Sequence, residues 1–272
     1  MLGATDDRSS LLAALADACG ATGFTALGDA TVLATSHGPL TTHAGLNTRT
    51  GRAERGGPLC QRIFGAVVDH SCLCTKYRGH EHLGHRCEKC GVVVGPASVR
   101  GERFGHVALV VALRHPWLPD ARVAQLLVLP PRLRLLPRER GDIAHDPDQQ
   151  CREFIAVDAR NMALPMLLMG GTQYEPYPER PAPAGLTALY AQLIARNETA
   201  RAMWSRAPEV VREHETALLQ ASLDALFGPP TTAVNPRGRR LRDLLLAARE
   251  RSDGPELAAL LLAAGLRAES TS

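Results

Sequence analysis

The chain has 272 residues, of which 45% are hydrophobic and 22% charged, and it carries a formal net charge of +3. That length accommodates one or two domains with a real core, and the composition excludes an intrinsically disordered chain. The charge excess is too small to demand a nucleic-acid partner, and with only 4% aromatic residues the core falls to Leu, Val and Ala, so helix is expected to dominate.

At the N-terminus Asp6 and Asp7 stand where a secretory leader carries positive charge. No apolar run reaches the roughly 18 residues that span a bilayer. The expectation is a cytoplasmic protein without a membrane segment. Residues 9–19, SSLLAALADAC, place Leu11, Leu12, Leu15 and Cys19 at helical spacing before Gly20, so a short helix is predicted there. Residues 36–58, rich in Gly, Thr, His and Pro, read as looped or extended chain. The run Val107–Leu113, VALVVAL, predicts a buried strand closed by His115, Pro116 and Trp117. Residues 119–184 hold many prolines and read as a connector with some local structure. From Leu186 the pattern becomes helical, with Leu186, Leu189, Tyr190, Leu193, Ile194 and Asn197 on one face. A second helix is expected to open with Pro208 at its first position and to carry Val211, Leu218, Leu219, Leu223, Leu226 and Phe227 until Gly228. The short connection folds the pair into an antiparallel hairpin. A basic helix over 237–251 and an apolar one over 255–266 close the chain.

Cysteine supplies the sharpest chemical signal. The spacing C-x-C-x(12)-C-x(2)-C at Cys72, Cys74, Cys87 and Cys90 gives two close pairs of thiolates joined by a loop, which is what tetrahedral Zn2+ requires. Four sulfurs leave no open position, so one structural and non-catalytic zinc ion is expected. His80, His82 and His85 lie between the pairs but are not needed to complete the shell. Lys76, Arg78, Arg86, Lys89, Arg100 and Arg103 surround the site and could meet nucleic-acid phosphates. Cys19, Cys60 and Cys151 read as small buried hydrophobes.

Three phrases in order flank these cysteines: LNTRTGRAERGGPLCQRIFG, CLCTKYRGHEHLGHRCEKCGVVV and VRGERFGHVALVVALRHPW. Together they resemble the start of the β′ subunit of bacterial RNA polymerase, whose four cysteines hold zinc at the same spacing. VLPPRLR at 128–134 resembles that family's proline-proline segment, and LTALYAQLIARNETARAMW with APEVVREHETALLQASLDALFG resembles its clamp helices. The resemblance implies a docking site for a sigma factor, with contact positions at Arg196, Asn197, Glu215 and Gln220. Ala195, Glu198, Thr199, Glu213, Thr216 and Ala217 depart from the polar or basic residues usual there. The family's Asn-Ala-Asp-Phe-Asp-Gly-Asp motif, whose aspartates hold catalytic Mg2+, is absent; Asp146-Pro147-Asp148 lacks a third acid. No catalytic residue is therefore assigned, and no activity is expected of this chain alone.

The fold expected is α+β and mostly helical. Its parts are an N-terminal helix (1–35), a zinc-binding β′-like domain with short strands (36–118), a connector with an insertion at 137–184 (119–184), a clamp-like helical hairpin (185–230) and C-terminal helices (231–272). The function expected is a zinc-binding transcription component that binds a sigma factor, core polymerase subunits or DNA, with no small-molecule substrate. The alternative is a degenerate β′ paralogue serving as an interaction module outside transcription.

Overall fold

The computed structural model describes residues 4–45, 47, 50, 52–129, 186–233 and 240–269. Its elements are α1 (Ala4–Cys19), β1 (Gly23–Ala26), α2 (Asp29–Thr35), β2 (Ser36–Pro39), α3 (Gln61–Phe64), β3 (Phe104–Arg114), β4 (Arg122–Val128), α4 (Leu186–Met203), α5 (Glu209–Phe227), α6 (Leu241–Glu250), α7 (Gly254–Ala263) and β5 (Leu266–Glu269). One sheet has the strand order β2-β3-β4 and a second pairs β1 with β5. Helix and strand are thus mixed, as an α+β fold requires. The described residues group into two compact bodies, one comprising those of 4–36, 106–128 and 192–269, the other those of 37–105 with 129 and 186–191.

In the first body the antiparallel β1–β5 pair sets Gly23 opposite Glu269 and Ala26 opposite Leu266. Backbone bonds from Thr22 to Glu269 and from Leu27 to Gly265, both 2.8 Å, extend it at each end. Two four-residue strands so far apart in sequence carry no alternation that a local reading could detect. α1 packs on α6 and α2 on β4, and Leu11, Leu15, Val32, Leu245 and Leu246 are buried. α1 begins at Ala4, a turn and more before the expected serine cap, and Cys19 at its end is exposed rather than buried. β4 lies within the segment expected to be a connector with some local structure.

α4 and α5 span almost the predicted limits. Leu193, Ile194, Asn197 and Ala200 of α4 and Leu219, Leu223, Leu226 and Phe227 of α5 are buried. Pro208 is the N-cap of α5 with extended ψ, one position earlier than expected. Val211 is exposed, because the first turns of α5 run clear of the core. The last helices are shorter than their apolar patterns suggested: α6 starts at Leu241 and α7 ends at Ala263, freeing Leu266 to open β5.

β3 ends in a buried aromatic corner. His115 Nε2 donates to the Ala264 carbonyl at 2.8 Å, its Nδ1 accepts from the Trp117 and Leu118 backbone at 3.1 Å each, and Trp117 Nε1 donates to the Gly228 carbonyl at 3.2 Å. Phe227 stacks edge-on against both rings. Burial lowers the His115 pKa from its ordinary value, and protonation would remove the Nδ1 acceptor. The unfolded chain therefore binds this proton more readily. The stabilising contribution is complete above about pH 6.5 and is lost as pH falls below it. Thermal unfolding from pH 7.5 to 5 should show a larger drop for the native chain than for His115→Gln, which cannot titrate.

In the second body the chain from 41 to 56 doubles back, with Thr41 and Thr42 amides on the Gly56 carbonyl and the Glu54 amide on the Gly45 carbonyl. A Cβ at Gly57 would sit 2.0 Å from the Ala44 carbonyl oxygen, so only glycine permits this approach. The loop leads into α3, which buries Gln61, Ile63 and Phe64.

Candidate functional site

Two small turns of similar build follow α3. In the first, Ser71 bridges to Arg78 and the Cys72 amide donates to the Tyr77 carbonyl at 3.1 Å; in the second, Arg86 bridges to Val93 and the Cys87 amide donates to the Val92 carbonyl at 3.0 Å. Each reverses direction through a left-handed residue, Thr75 (φ 59°) and Gly91 (φ 74°). The turns place the four sulfurs within 4.8 Å of one another. Cys72 and Cys74 Sγ are 3.6 Å apart, and Cys74 and Cys87 Sγ 3.5 Å. A disulfide needs about 2.05 Å, whereas tetrahedral ligation at about 2.3 Å per bond sets sulfurs about 3.8 Å apart. This geometry fits a four-thiolate metal site, and it is the group of potential metal ligands found among the described residues. His80, His82 and His85 stand outside it, with the rings of His82 and His85 edge-on to Tyr77.

Burial pushes the Cys74 thiol up to about 12. At Cys87 the same effect is outweighed by donors led by the Cys90 amide, and the pKa falls to about 7. Cys87 is thus a readier thiolate than Cys72 or Cys74, whose thiols burial pushes up. The apolar support is slight: Ala66, Val92 and Val94 with the buried Cys72 and Cys87. So few side chains cannot by themselves hold the segment folded.

The basic residues around the site differ in what they do. Lys76 pairs with Glu88, tying the first turn to the second and holding the Glu88 carboxyl down to about 2. Arg86 contacts the Gly91 carbonyl at 3.4 Å. Arg100 is buried, 2% exposed, and donates to the Gly65 and Leu59 carbonyls at 2.5 and 3.3 Å; its guanidinium fastens α3 from within and does not face solvent. Arg78 and Lys89 are exposed and Arg103 is half-buried. Arg62, which sequence reasoning did not single out, donates through Nε to the Cys90 carbonyl at 2.6 Å.

The four hairpin residues also separate. Asn197 is buried, 4% exposed; its Oδ1 accepts from the Val110 amide and its Nδ2 donates to the Ala108 carbonyl, each at 2.9 Å. Gln220 does the same at Arg114, accepting from its amide at 2.9 Å and donating to its carbonyl at 3.0 Å. Alternate residues of a strand address opposite edges, and the His115 amide bonds to Ala121 on the β4 side. The two carboxamides therefore bond to β3 on its side away from β4, the side that the short strand β2 also joins, and satisfy backbone groups there. Arg201 also donates to Ala108. Arg196 and Glu215 are half-buried, and one carboxylate oxygen of Glu215 is out of solvent without a hydrogen-bond partner. Met203, Val210 and Val211, around the turn between the helices, are exposed apolar side chains. Asp146 and Asp148, Cys151, the 137–184 insertion and most of VLPPRLR lie outside the described residues.

No protein-family model matches the chain. Curated relatives do. DNA-directed RNA polymerase subunit beta' of Ehrlichia chaffeensis is 43% identical over 106 residues, 38% of this chain and 7% of that protein. The subunit of Aquifex aeolicus is 42% identical over 110 residues, 40% of this chain and 7% of that protein. That of Anaplasma marginale is 44% identical over 103 residues, 36% and 7% respectively. The chain thus spans about 7% of the length of these relatives. Within that span, more than a third of the chain is a region like the β′ subunit of RNA polymerase.

Proposed function

We propose that this chain acts in transcription as a β′-like protein in which one Zn2+, held by Cys72, Cys74, Cys87 and Cys90, folds a recognition module, while the α4–α5 pair presents a surface to a sigma factor or the polymerase core. The observation that carries the reading is the coincidence of four converging sulfurs with identity of 42–44% to β′ subunits. Zn2+ suits a closed shell of four thiolates better than harder divalent ions do. It would supply a fixed tetrahedral crosslink and no reactive position; the backbone turns at Thr75 and Gly91 orient the sulfurs toward it.

On the hairpin, the inward bonds of Asn197 and Gln220 leave Arg196, Glu215 and the exposed Met203, Val210 and Val211 to meet a partner. Arg78 and Lys89 are the exposed cations available to DNA beside the zinc turns. The test is equilibrium binding of the purified full chain to purified sigma factor and to core polymerase. Arg196→Ala with Glu215→Ala should weaken the complex about tenfold or more without changing the unfolding midpoint or the zinc content. Absence of binding to either protein would contradict the reading.

A further inference from the structure

A cleft of about 580 Å³ runs between the end of β3 and α5. One wall consists of Ala112, Leu113 and Arg114 with Arg122 of β4. Side chains of a strand alternate between its two faces, so three consecutive residues line a cleft only along the strand's edge. The facing wall is a single stripe of α5, in which Glu209, Glu213, Thr216 and Gln220 recur at helical spacing with Arg212 beside them. The half-buried Trp204 completes the lining.

The strand edge in this cleft is open. β2 joins the same side of β3 near His106, whose Nδ1 lies 2.7 Å from Ser36 Oγ. Farther along, Asn197 takes the Val110 amide and Gln220 takes both polar backbone groups of Arg114. Ala112 lies between them and, by strand alternation, turns its amide and carbonyl to that side. Among the described residues no side chain bonds to either group, and Ala112 is only half-buried.

The charges are a second, independent observation. Arg114 ends β3 and Arg122 begins β4, and the His115 amide donates to the Ala121 carbonyl at 2.9 Å, which sets the two arginines side by side across the hairpin. Both are exposed, and neither has an ion-pair partner among the described residues. Like charges so placed repel, and a carboxylate entering the cleft relieves the repulsion.

We infer that this cleft binds an acidic peptide in extended form, added as a strand beside Ala112 with its carboxylates on Arg114 and Arg122. Main-chain bonds to Ala112 supply affinity, and the paired arginines select acidic side chains. A nucleic-acid strand suits the cleft less well, since Glu209 and Glu213 on the facing wall repel a continuous run of phosphates. The site lies apart from the surface proposed for a sigma factor, because Arg196, Glu215 and Val211 do not line the cleft.

The test uses the full zinc-loaded chain and a labelled, end-capped peptide of alternating valine and glutamate, with binding read by fluorescence anisotropy. Arg114→Ala with Arg122→Ala should weaken binding about tenfold at an unchanged or higher unfolding midpoint, since both side chains are exposed. Methylation of the peptide's backbone nitrogens, which removes the donors to Ala112, should weaken it about fivefold or more. Gln220→Ala frees the Arg114 amide and carbonyl and should bind at least as tightly as the native chain. The cleft is not a peptide site if the native chain ignores this peptide, or binds it no better than its lysine counterpart or its methylated form. Binding of a labelled single-stranded oligonucleotide that the double substitution abolishes would assign the cleft to nucleic acid and equally overturn the inference. Sigma-factor and core-polymerase binding measured on the same samples keeps the two readings apart, because the arginine substitutions should leave both unchanged.

Discussion

Asn197→Ala should lower the free energy of unfolding by about 2–3 kcal/mol, read as a fall in the denaturant midpoint at constant slope. The side chain is buried and satisfies an amide and a carbonyl on the β3 edge. Truncation leaves the amide of the half-buried Val110 without its acceptor, and a donor left unmatched bears much of its desolvation penalty. Ala108 loses less, since Arg201 also donates to its carbonyl. Asn197→Asp should be at least as damaging, because it keeps the acceptor for Val110 but turns a carboxylate toward the Ala108 carbonyl. Gln220→Ala should cost under about 1 kcal/mol, as water can reach the Arg114 groups it leaves behind. Alanine at the adjacent, half-buried Arg196 should stay within about 0.5 kcal/mol. A flat response across Asn197, Arg196 and Gln220 would show that the carboxamides do not hold the hairpin to the strand.

Removal of the metal should have the larger effect, confined to one body. Structural zinc contributes on the order of 10 kcal/mol to small modules of this kind, and the turns around Cys72 and Cys87 bury few apolar side chains. Chelation, or Cys87→Ser, should release one zinc per chain and expose the amides of residues 70–95 to rapid hydrogen exchange. The core around Leu193, Leu219 and Trp117 belongs to the other body and should keep its protection. Native mass spectrometry counts the metal, and exchange mapping locates the loss. Unchanged protection at 70–95 after complete chelation would refute a structural role.

What the sequence made legible was local. Each cysteine pair is formed by one turn, so spacing alone carries the ligand set, and the paired helices follow from a stripe of Leu, Ile and Tyr repeated over several turns. Non-local pairing was hidden. β5 is four residues, Leu266–Glu269, and pairs with β1 near the other end of the chain; its pattern is equally that of a fraying helix end. β4 was obscured by the prolines that follow it. Asn197 carried its own signal, a carboxamide on the otherwise apolar face of α4, where burial demands hydrogen bonds; the resemblance pointed instead to a partner contact. The cleft between β3 and α5 offered no such clue, because its walls come from segments well separated in sequence.

Whether this β′-like chain works within the transcription machinery is decided by recovering the tagged full chain from its native cells and identifying its partners by mass spectrometry. A sigma factor or polymerase core subunits should be recovered in near-stoichiometric amount, reduced by Arg196→Ala with Glu215→Ala. Recovery of the zinc-loaded chain with neither would contradict that role.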